Sequence, residues 1–217
     1  MRKEFFVHPN VSLGTNVLIE RGVVIGKPPK GFESGELETI IGSNTVLRTG
    51  TVIYAGATIG DCFSTGEYAV VREKVKIGDQ SVVGQHCLVL PEACLGNRVT
   101  IHSLCLIAEY SKIGDDSWLG PGVITLNTLY PKAFNRSRKE ETDREGAPKI
   151  GKFVRIGGNV TVNPFVELGD YVVVGAGSVV TKSVPAGKLT YGNPARIIRD
   201  VNDLRARYDK SVRPYEH

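Results

Sequence analysis

The stretch from Ile77 to Leu119 reads IGDQSVVGQHCLVLPEACLGNRVTIHSLCLIAEYSKIGDDSWL, and its pattern repeats every six residues. An Ile, Leu or Val stands at each sixth position, beginning with Ile77, Val83 and Val89. A period of six does not fit a continuous helix of 3.6 residues per turn, whereas very short strands separated by turns satisfy it. The stretch therefore predicts a chain that turns at regular intervals.

The same register extends over most of the 217 residues. It covers 24 positions, in steps of six over 7–25, 41–119 and 150–180, and Thr65 is the one member that is not Ile, Leu or Val. If three hexads complete one turn of a triangular prism, residues 18 apart stack about 4.8 Å apart on neighbouring coils. The sequence thus predicts an all-β parallel β-helix of about eight coils, in which Ile101 lies against Leu119. The glycine that usually follows each aliphatic residue is expected to adopt the strained backbone angles of the turns.

Two stretches interrupt this register and are expected to be loops within a β-helix domain over 1–193: residues 27–40 and residues 125–149. The second contains NRSRKEETDRE, which cannot bury apolar surface and should form a mobile loop. That loop could cover an active site, reach a neighbouring subunit, or be a tolerated surface insertion. Residues 194–217 are expected to form a short C-terminal α-helix and tail that cap the prism, because Pro194 suits a first helical turn. The apolar residues after it share one helical face: Ile197, Ile198, Val201, Leu204 and Tyr208.

Composition excludes several classes of protein. A net charge of +4 is too small to indicate a nucleic-acid partner, and no apolar run reaches the roughly 18 residues of a membrane span. The four cysteines form no CxxC pair, and no signal peptide precedes them. We therefore expect free thiols and a cytoplasmic location.

The recurring [LIV]-G-x-x-[STAV]-x pattern resembles the hexapeptide-repeat acyltransferase family, and this resemblance implies a left-handed β-helix that assembles as a homotrimer. Residues 172–199, VVVGAGSVVTKSVPAGKLTYGNPARIIR, look like the closing segment of many acetyltransferases of that family. The resemblance implies a groove for acetyl-CoA in which Gly157 and Ala176 admit the pantetheine arm. Lys182 and Arg196 would meet its phosphates. Without the resemblance, these two cations would be ordinary surface charge.

Residues 96–127, followed by a Tyr-Pro pair, are similar to sugar-nucleotide N-acyltransferases, which implies acetylation of an amino sugar attached to a nucleotide. Related acyl-carrier-protein-dependent enzymes place a catalytic histidine where this chain has Glu67. Galactoside-type O-acetyltransferases carry a His-Pro pair where this chain reads Leu129-Tyr130-Pro131. Glu67, Asn127 and Tyr130 are therefore candidate substrate-binding residues, and Asn127 or a backbone N–H could steady the oxyanion.

Histidine is the natural candidate for a general base, and His86 and His102 are the two that lie inside the coils. The predicted stacked neighbours of His102 are Gly66, Gly84 and Gly120, a column of glycines expected to leave open space for a substrate. His86 belongs to a more crowded column. Either histidine could instead be structural, and the departing thiolate could take the proton.

Three other functions remain open or are disfavoured by the sequence. O-acetylation of a sugar, an antibiotic or another small hydroxyl acceptor is the main alternative. A primary amine with a pKa near 8 is about one-tenth unprotonated at pH 7, whereas an alcohol has a pKa closer to that of water, about 15.7, so the amine needs less assistance. A γ-type carbonic anhydrase needs three histidines around zinc, and with two inside the coils no metal site is expected. A non-catalytic binding solenoid would differ by failing to bind acetyl-CoA.

Overall fold

The computed structural model describes residues 4–131, 144–206, 209–212 and 214–215. Residues 132–143 of the predicted mobile loop lie outside the described residues, as does Tyr208 of the predicted helix. Within the described ranges the chain winds into a parallel β-helix, and successive strands contribute in turn to three sheets. We name these sheets A, B and C.

Sheet A has nine strands, each paired in parallel with the strand one coil away. In chain order they are β1 (Phe6–Val7), β4 (Val24–Lys27), β7 (Val52–Tyr54), β10 (Val70–Val71), β13 (Leu88–Val89), β16 (Leu106–Ile107), β19 (Ile124–Thr125), β22 (Thr161–Val162) and β25 (Val179–Val180). Sheet B has eight strands. They are β2 (Val11–Leu13), β5 (Thr39–Ile41), β8 (Thr58–Ile59), β11 (Lys76–Ile77), β14 (Cys94–Leu95), β17 (Lys112–Ile113), β20 (Lys149–Ile150) and β23 (Glu167–Leu168).

Sheet C has ten strands, and its last two form a hairpin that extends the sheet. The strands are β3 (Leu18–Ile19), β6 (Val46–Leu47), β9 (Ser64–Thr65), β12 (Val82–Val83), β15 (Thr100–Ile101), β18 (Trp118–Leu119), β21 (Arg155–Ile156), β24 (Val173–Val174), β26 (Lys188–Gly192) and β27 (Ala195–Asp200). A single 3₁₀ turn, Val201–Asp203, follows in the described part of the chain.

The turns between sheets define three edges of the prism. The A–B edge joins sheet A to sheet B, the B–C edge joins sheet B to sheet C, and the C–A edge joins sheet C back to sheet A. In most strands the second residue points inward and is fully buried, whereas the first points outward. The predicted stacking is confirmed, because Ile101 pairs in register with Leu119. The continuous aliphatic core expected from the six-residue period is therefore present.

The glycines after the aliphatic residues do not have the role that the sequence suggested. Gly78 has no positive φ; instead, a Cβ placed on it would lie 2.7 Å from the carbonyl carbon of Gly96 on the next coil. Two residues later, Gln80 has a φ of 56°, and non-glycine residues occupy this left-handed turn position on coil after coil. The prediction that these glycines take the strained angles is wrong, because close approach of stacked backbones is what selects glycine there.

The predicted C-terminal helix is also wrong. Residues Ala195–Asp200 form β27, which pairs antiparallel with β26, while β26 pairs in parallel with β24. The β-branched pair Ile197–Ile198 suits an extended strand, and β26 supplies the antiparallel partner, with a bulge that leaves Ile198 between two register pairs. Both isoleucine side chains are left exposed.

Candidate active site

The C–A edge collects most of the candidate residues. Glu67, His86 and His102 lie in successive C-to-A turns, and Gly157 and Ala176 lie in later turns of the same edge. His102 and Gly157 are two coils apart, which corresponds to about 10 Å at the usual spacing of strands. The candidate base and the two small residues expected at the acetyl-CoA groove are therefore aligned along one line of the surface.

His102 follows β15 with its side chain exposed. Its ring lies 6.1 Å from the indole of Trp118 in an edge-to-face arrangement, and its backbone N–H donates to the carbonyl of Leu119 at 2.8 Å. The predicted open space over the glycine column is absent, because a Cβ on Gly84 would lie 2.7 Å from the carbonyl carbon of His102. The imidazole is accessible because it projects outward at the edge, and not because the glycines leave a cavity.

A buried thiol supports this turn from inside. Cys87 Sγ donates to the carbonyl oxygen of His102 at 2.8 Å, and the backbone N–H of Cys105 donates to Cys87 Sγ at 3.4 Å. The hydrogen bond with Cys87, together with burial, raises the pKa of the Cys105 thiol well above its usual range. All four cysteines are free, as expected from the sequence. Cys105 is thus a neutral core group, and the buried thiol of Cys87 fixes the backbone beneath His102.

His86 occupies a different setting on the neighbouring coil. It has a φ of 54°, and its ring stacks on Tyr68 with the ring centroids 5.2 Å apart and the planes within 6° of parallel. Leu104 follows in the same column and is 65% exposed. Tyr68, His86 and Leu104 therefore form an exposed, largely apolar ridge beside His102, and the stack restricts the imidazole of His86 more than that of His102.

The four candidate cofactor residues are not all brought together in one chain. Gly157 and Ala176 are stacked neighbours, since a Cβ on Gly157 would lie 2.5 Å from the backbone nitrogen of Ala176. Arg196 pairs with Tyr191 in the hairpin at the end of sheet C, the same sheet that leads into these two residues. Lys182 follows β25 and lies toward the A–B edge, on the far side of sheet A.

Asn127 and Tyr130 also lie at the A–B edge, at the start of the long loop that follows β19. Tyr130 is 81% exposed. The side-chain nitrogen of Asn127 is buried and has no hydrogen-bond partner within the described ranges, so this donor is unsatisfied in the single chain. At the other end of the loop, Arg144 lies over the ring of Tyr110 and forms an ion pair with Glu92 at 3.1 Å. The two contacts hold the end of this loop at the A–B edge.

Sequence reasoning missed a polar and aromatic depression on the outer face of sheet C, next to His102. It has a volume of about 320 Å³ and is lined by Arg98, Thr100, Asp116, Ser117, Trp118, Phe153 and Arg155. Thr100, Trp118 and Arg155 are register partners on successive strands, one position before the aliphatic ladder. The 18-residue step could have revealed the pair Thr100 and Trp118, but the long loop places Arg155 37 residues after Trp118. The guanidinium of Arg98 lowers the pKa of the Asp116 carboxyl below its usual range.

Residues 147–182 match a family model described as bacterial transferase hexapeptide (six repeats). These residues therefore carry the hexapeptide repeat of that model. The chain is 38% identical over 96 residues to a galactoside O-acetyltransferase of Escherichia coli, which covers 44% of this chain and 47% of that protein. It is 40% identical over 96 residues to the bifunctional protein GlmU of Rubrobacter xylanophilus, covering 44% of this chain and 18% of that protein. The chain thus spans less than half the length of these curated relatives.

A solved structure shares the fold of this chain. The crystal structure of LpxA, a UDP-N-acetylglucosamine acyltransferase from Bacteroides fragilis, matches 92% of this chain and 74% of its own with a TM-score of 0.68 and 17% sequence identity. The predicted left-handed parallel β-helix is confirmed. Within the described ranges, no helix has the length and apolar character to cross a bilayer. The same ranges contain no group of three or more His, Cys, Asp or Glu residues arranged around a metal position.

Proposed function

We propose that this protein is an acyltransferase that uses acetyl-CoA to acetylate an amino group of a nucleotide-linked sugar. The observation that supports it most is the alignment of His102, Gly157 and Ala176 along the C–A edge. A base at one end of a line of small residues suits two substrates that must meet end to end. The hexapeptide repeats and the acetyltransferase names of the relatives agree with this class of reaction.

The chemistry requires one bond to form and one to break. The lone pair of the neutral amine attacks the thioester carbonyl carbon, and the resulting oxyanion needs a hydrogen-bond donor. Collapse of this intermediate forms the amide and expels the coenzyme A thiolate. The amine's proton passes to the Nδ1 or Nε2 atom of His102, or to the departing thiolate.

We further propose that the protein is a homotrimer in which sheet A packs against neighbouring copies. The outward residue is aliphatic in seven of the nine strands of sheet A: Val24, Val52, Val70, Leu88, Leu106, Ile124 and Val179. Sheet B presents Thr58, Lys76, Cys94, Lys112, Lys149 and Glu167 at the equivalent positions. Sheet C mixes aliphatic and polar outward residues, so sheet A is the most uniformly aliphatic of the three outer faces, and such a face is typical of a subunit interface.

Three-fold symmetry would also unite the divided candidate residues. In a closed ring each interface is formed by two different patches, so the A–B edge of one copy meets the C–A edge of the next. Asn127 and Tyr130 flank sheet A on one side, and His102 flanks it on the other. A trimer would therefore bring Asn127, whose amide nitrogen has no hydrogen-bond partner in the part of the chain that the structure describes, toward the histidine of a second copy, where this side chain could stabilise the oxyanion.

A panel of matched acceptors tests the reaction. Purified protein and acetyl-CoA are incubated with UDP- and dTDP-linked sugars that differ only in carrying an amine or a hydroxyl at the same carbon. Coenzyme A release is followed by chromatography, because the exposed thiol of Cys62 would consume a thiol reagent. The proposal predicts release with the amine and a product that resists hydroxylamine, since an amide survives treatment that cleaves an ester.

O-acetylation is the second candidate, and the similarity to a galactoside O-acetyltransferase favours it. It predicts release with the hydroxyl partner, or with a galactoside, and a product that hydroxylamine cleaves. Failure to bind acetyl-CoA in calorimetry, with any acceptor present, would refute both reactions and leave a non-catalytic binding protein. Light scattering measures the mass in the same buffer, and a value of one chain would exclude the shared site.

A further inference from the structure

We infer that the depression on the outer face of sheet C binds a pyranose ring, which stacks on the indole of Trp118. The depression is distinct from the C–A edge, since Arg98, Asp116 and Phe153 stand on the B–C side of the sheet. Trp118 belongs to both places, because it lines the depression and its indole also contacts the ring of His102. A ring bound there would lie beside the candidate base.

The indole supplies a platform for the apolar face of a sugar. Trp118 is 37% exposed although its strand β18 lies in the middle of sheet C. The glycine two residues later, Gly120, has no side chain that could cover the indole from that side. One face of a pyranose carries several C–H groups with partial positive charge, and these are attracted to the negative face of an aromatic ring.

The polar groups around the indole suit the hydroxyls of a sugar. Arg98 binds Asp116 through two hydrogen bonds, of 2.6 and 2.8 Å, so the carboxylate and the guanidinium are held in fixed positions. The carboxylate can accept from a sugar O–H through its remaining lone pairs, and the guanidinium keeps further N–H donors. Thr100 adds a hydroxyl on the neighbouring strand. Fixed donors and acceptors around an aromatic face are the features that orient a neutral ring in a shallow site.

The same contacts disfavour a phosphate or a nucleotide diphosphate as the occupant. The positive charge of Arg98 is paired with the Asp116 carboxylate, and the guanidinium of Arg155 donates to the backbone carbonyls of Asp116 and Val154. A phosphate would also have to approach the Asp116 carboxylate, which is unfavourable for two anions. The depression therefore favours an uncharged polyhydroxylated ring.

The chain's only tryptophan gives a direct measurement, since all indole emission reports on this site. Emission is recorded during titration with methyl β-D-glucopyranoside and methyl β-D-galactopyranoside. Sorbitol is the matched control, because it has the hydroxyls without a ring face, and UDP tests for a nucleotide site. We expect a saturable change with at least one pyranoside and none with sorbitol or UDP. No saturation by either pyranoside up to about 0.1 M, or a response to UDP alone, would overturn the inference.

Asp116→Asn separates a specific site from general stacking, because it keeps the indole and removes the charge that orients Arg98. We expect at least tenfold weaker binding of the pyranoside. Asp61→Asn is the control. Asp61 is an exposed carboxylate on the same B–C edge, and its turn lies three coils away from the turn that carries Asp115 and Asp116. Equal pyranoside affinities in the two variants would contradict the role assigned to the Arg98–Asp116 ion pair. Circular dichroism of both variants confirms that each is folded.

Because the site adjoins the candidate base, the bound ring would be the acceptor of the proposed reaction, and only this assignment rests on the proposed function. The titration needs neither acetyl-CoA nor turnover. Pyranoside binding without acetyl transfer to any acceptor would refute the proposed function and leave this site standing. Acetyl transfer with an unchanged KM in Asp116→Asn, and with no pyranoside-dependent emission, would refute this site and leave the reaction standing.

Discussion

The two residues of β16 offer a matched pair that tests the inward and outward faces of sheet A. Ile107 is fully buried in the core, whereas Leu106 points outward and is partly buried in the single chain. Ile107→Ala removes three carbon groups, worth about 0.8 kcal/mol each on transfer, so about 2.4 kcal/mol is lost before any cavity term. With the cavity term, the free energy of unfolding should fall by about 3 to 4 kcal/mol. Leu106→Ala should cost about 1 kcal/mol in an isolated chain, because its side chain is already partly in water.

Urea unfolding at low and high protein concentration measures both effects. The loss for Ile107→Ala should be the same at both concentrations, since it occurs inside one prism. If sheet A is the trimer interface, Leu106→Ala should also shift the midpoint more strongly at low concentration, because fewer trimers then remain to stabilise the fold. A loss of less than about 1 kcal/mol for Ile107→Ala would refute the stacked core. A concentration-independent effect of Leu106→Ala would refute the interface on this face.

Three further predictions follow from single residues. His102→Ala should lower the rate of coenzyme A release at least tenfold, since a general base typically contributes a factor of about 10² to 10⁴. The circular dichroism spectrum should stay unchanged, and an unaltered rate would mean that another group accepts the proton. Gly78→Ala should destabilise the fold by about 1 to 3 kcal/mol in thermal or urea unfolding, because its Cβ would meet the backbone of the next coil. Gln80→Gly relieves a left-handed turn and should change the free energy of unfolding by less than about 1 kcal/mol, and a larger loss for Gln80→Gly than for Gly78→Ala would contradict close backbone approach as the reason for the glycine. Arg98 lowers the pKa of Asp116, so this ion pair stabilises the fold at pH values above the unfolded pKa of about 3.9, and the stabilisation is lost as the pH falls through the lower folded pKa. The urea midpoint of Arg98→Met should therefore differ from that of the parent protein near pH 6 and approach it at strongly acidic pH, and a difference that stays constant with pH would contradict the pairing.

The core could be predicted from the sequence because its determinants are local. Whether a side chain points inward depends on the two-residue strand that carries it, and that choice repeats every six residues. Ile101 and Leu119 were paired correctly for this reason. The prediction for the C-terminal segment was wrong because the spacing of Ile197 and Ile198 is compatible with either a helix or a strand. The hydrogen-bond partner that decides between them, β26, becomes available only in the folded sheet.

The glycines and the site depended on contacts between coils. The reason for Gly78 lies on the next coil at Gly96, 18 residues away, whereas the sequence suggested a local turn conformation. The same limitation concealed Trp118 beside His102, because an outward aromatic residue in one hexad has no local relation to a histidine in another. Reading the outward columns with the same 18-residue step would have placed Thr100 beside Trp118, whereas the long loop separates Trp118 from its next partner, Arg155, by 37 residues.

The three outer faces of the prism suggest how one repetitive core can support separate tasks. The inward residues fix the coil, so the outward residue of each strand is free to vary without cost to the core. Sheet A uses that freedom for aliphatic residues, sheet B for lysines such as Lys76 and Lys112, and sheet C for Trp118 and Arg155. The proposed interface and the proposed ring site occupy different faces, and the edge between them carries His102. In the proposed trimer, His102 would act as the base on a group presented from sheet C, and a neighbouring copy packed on sheet A would supply the oxyanion donor.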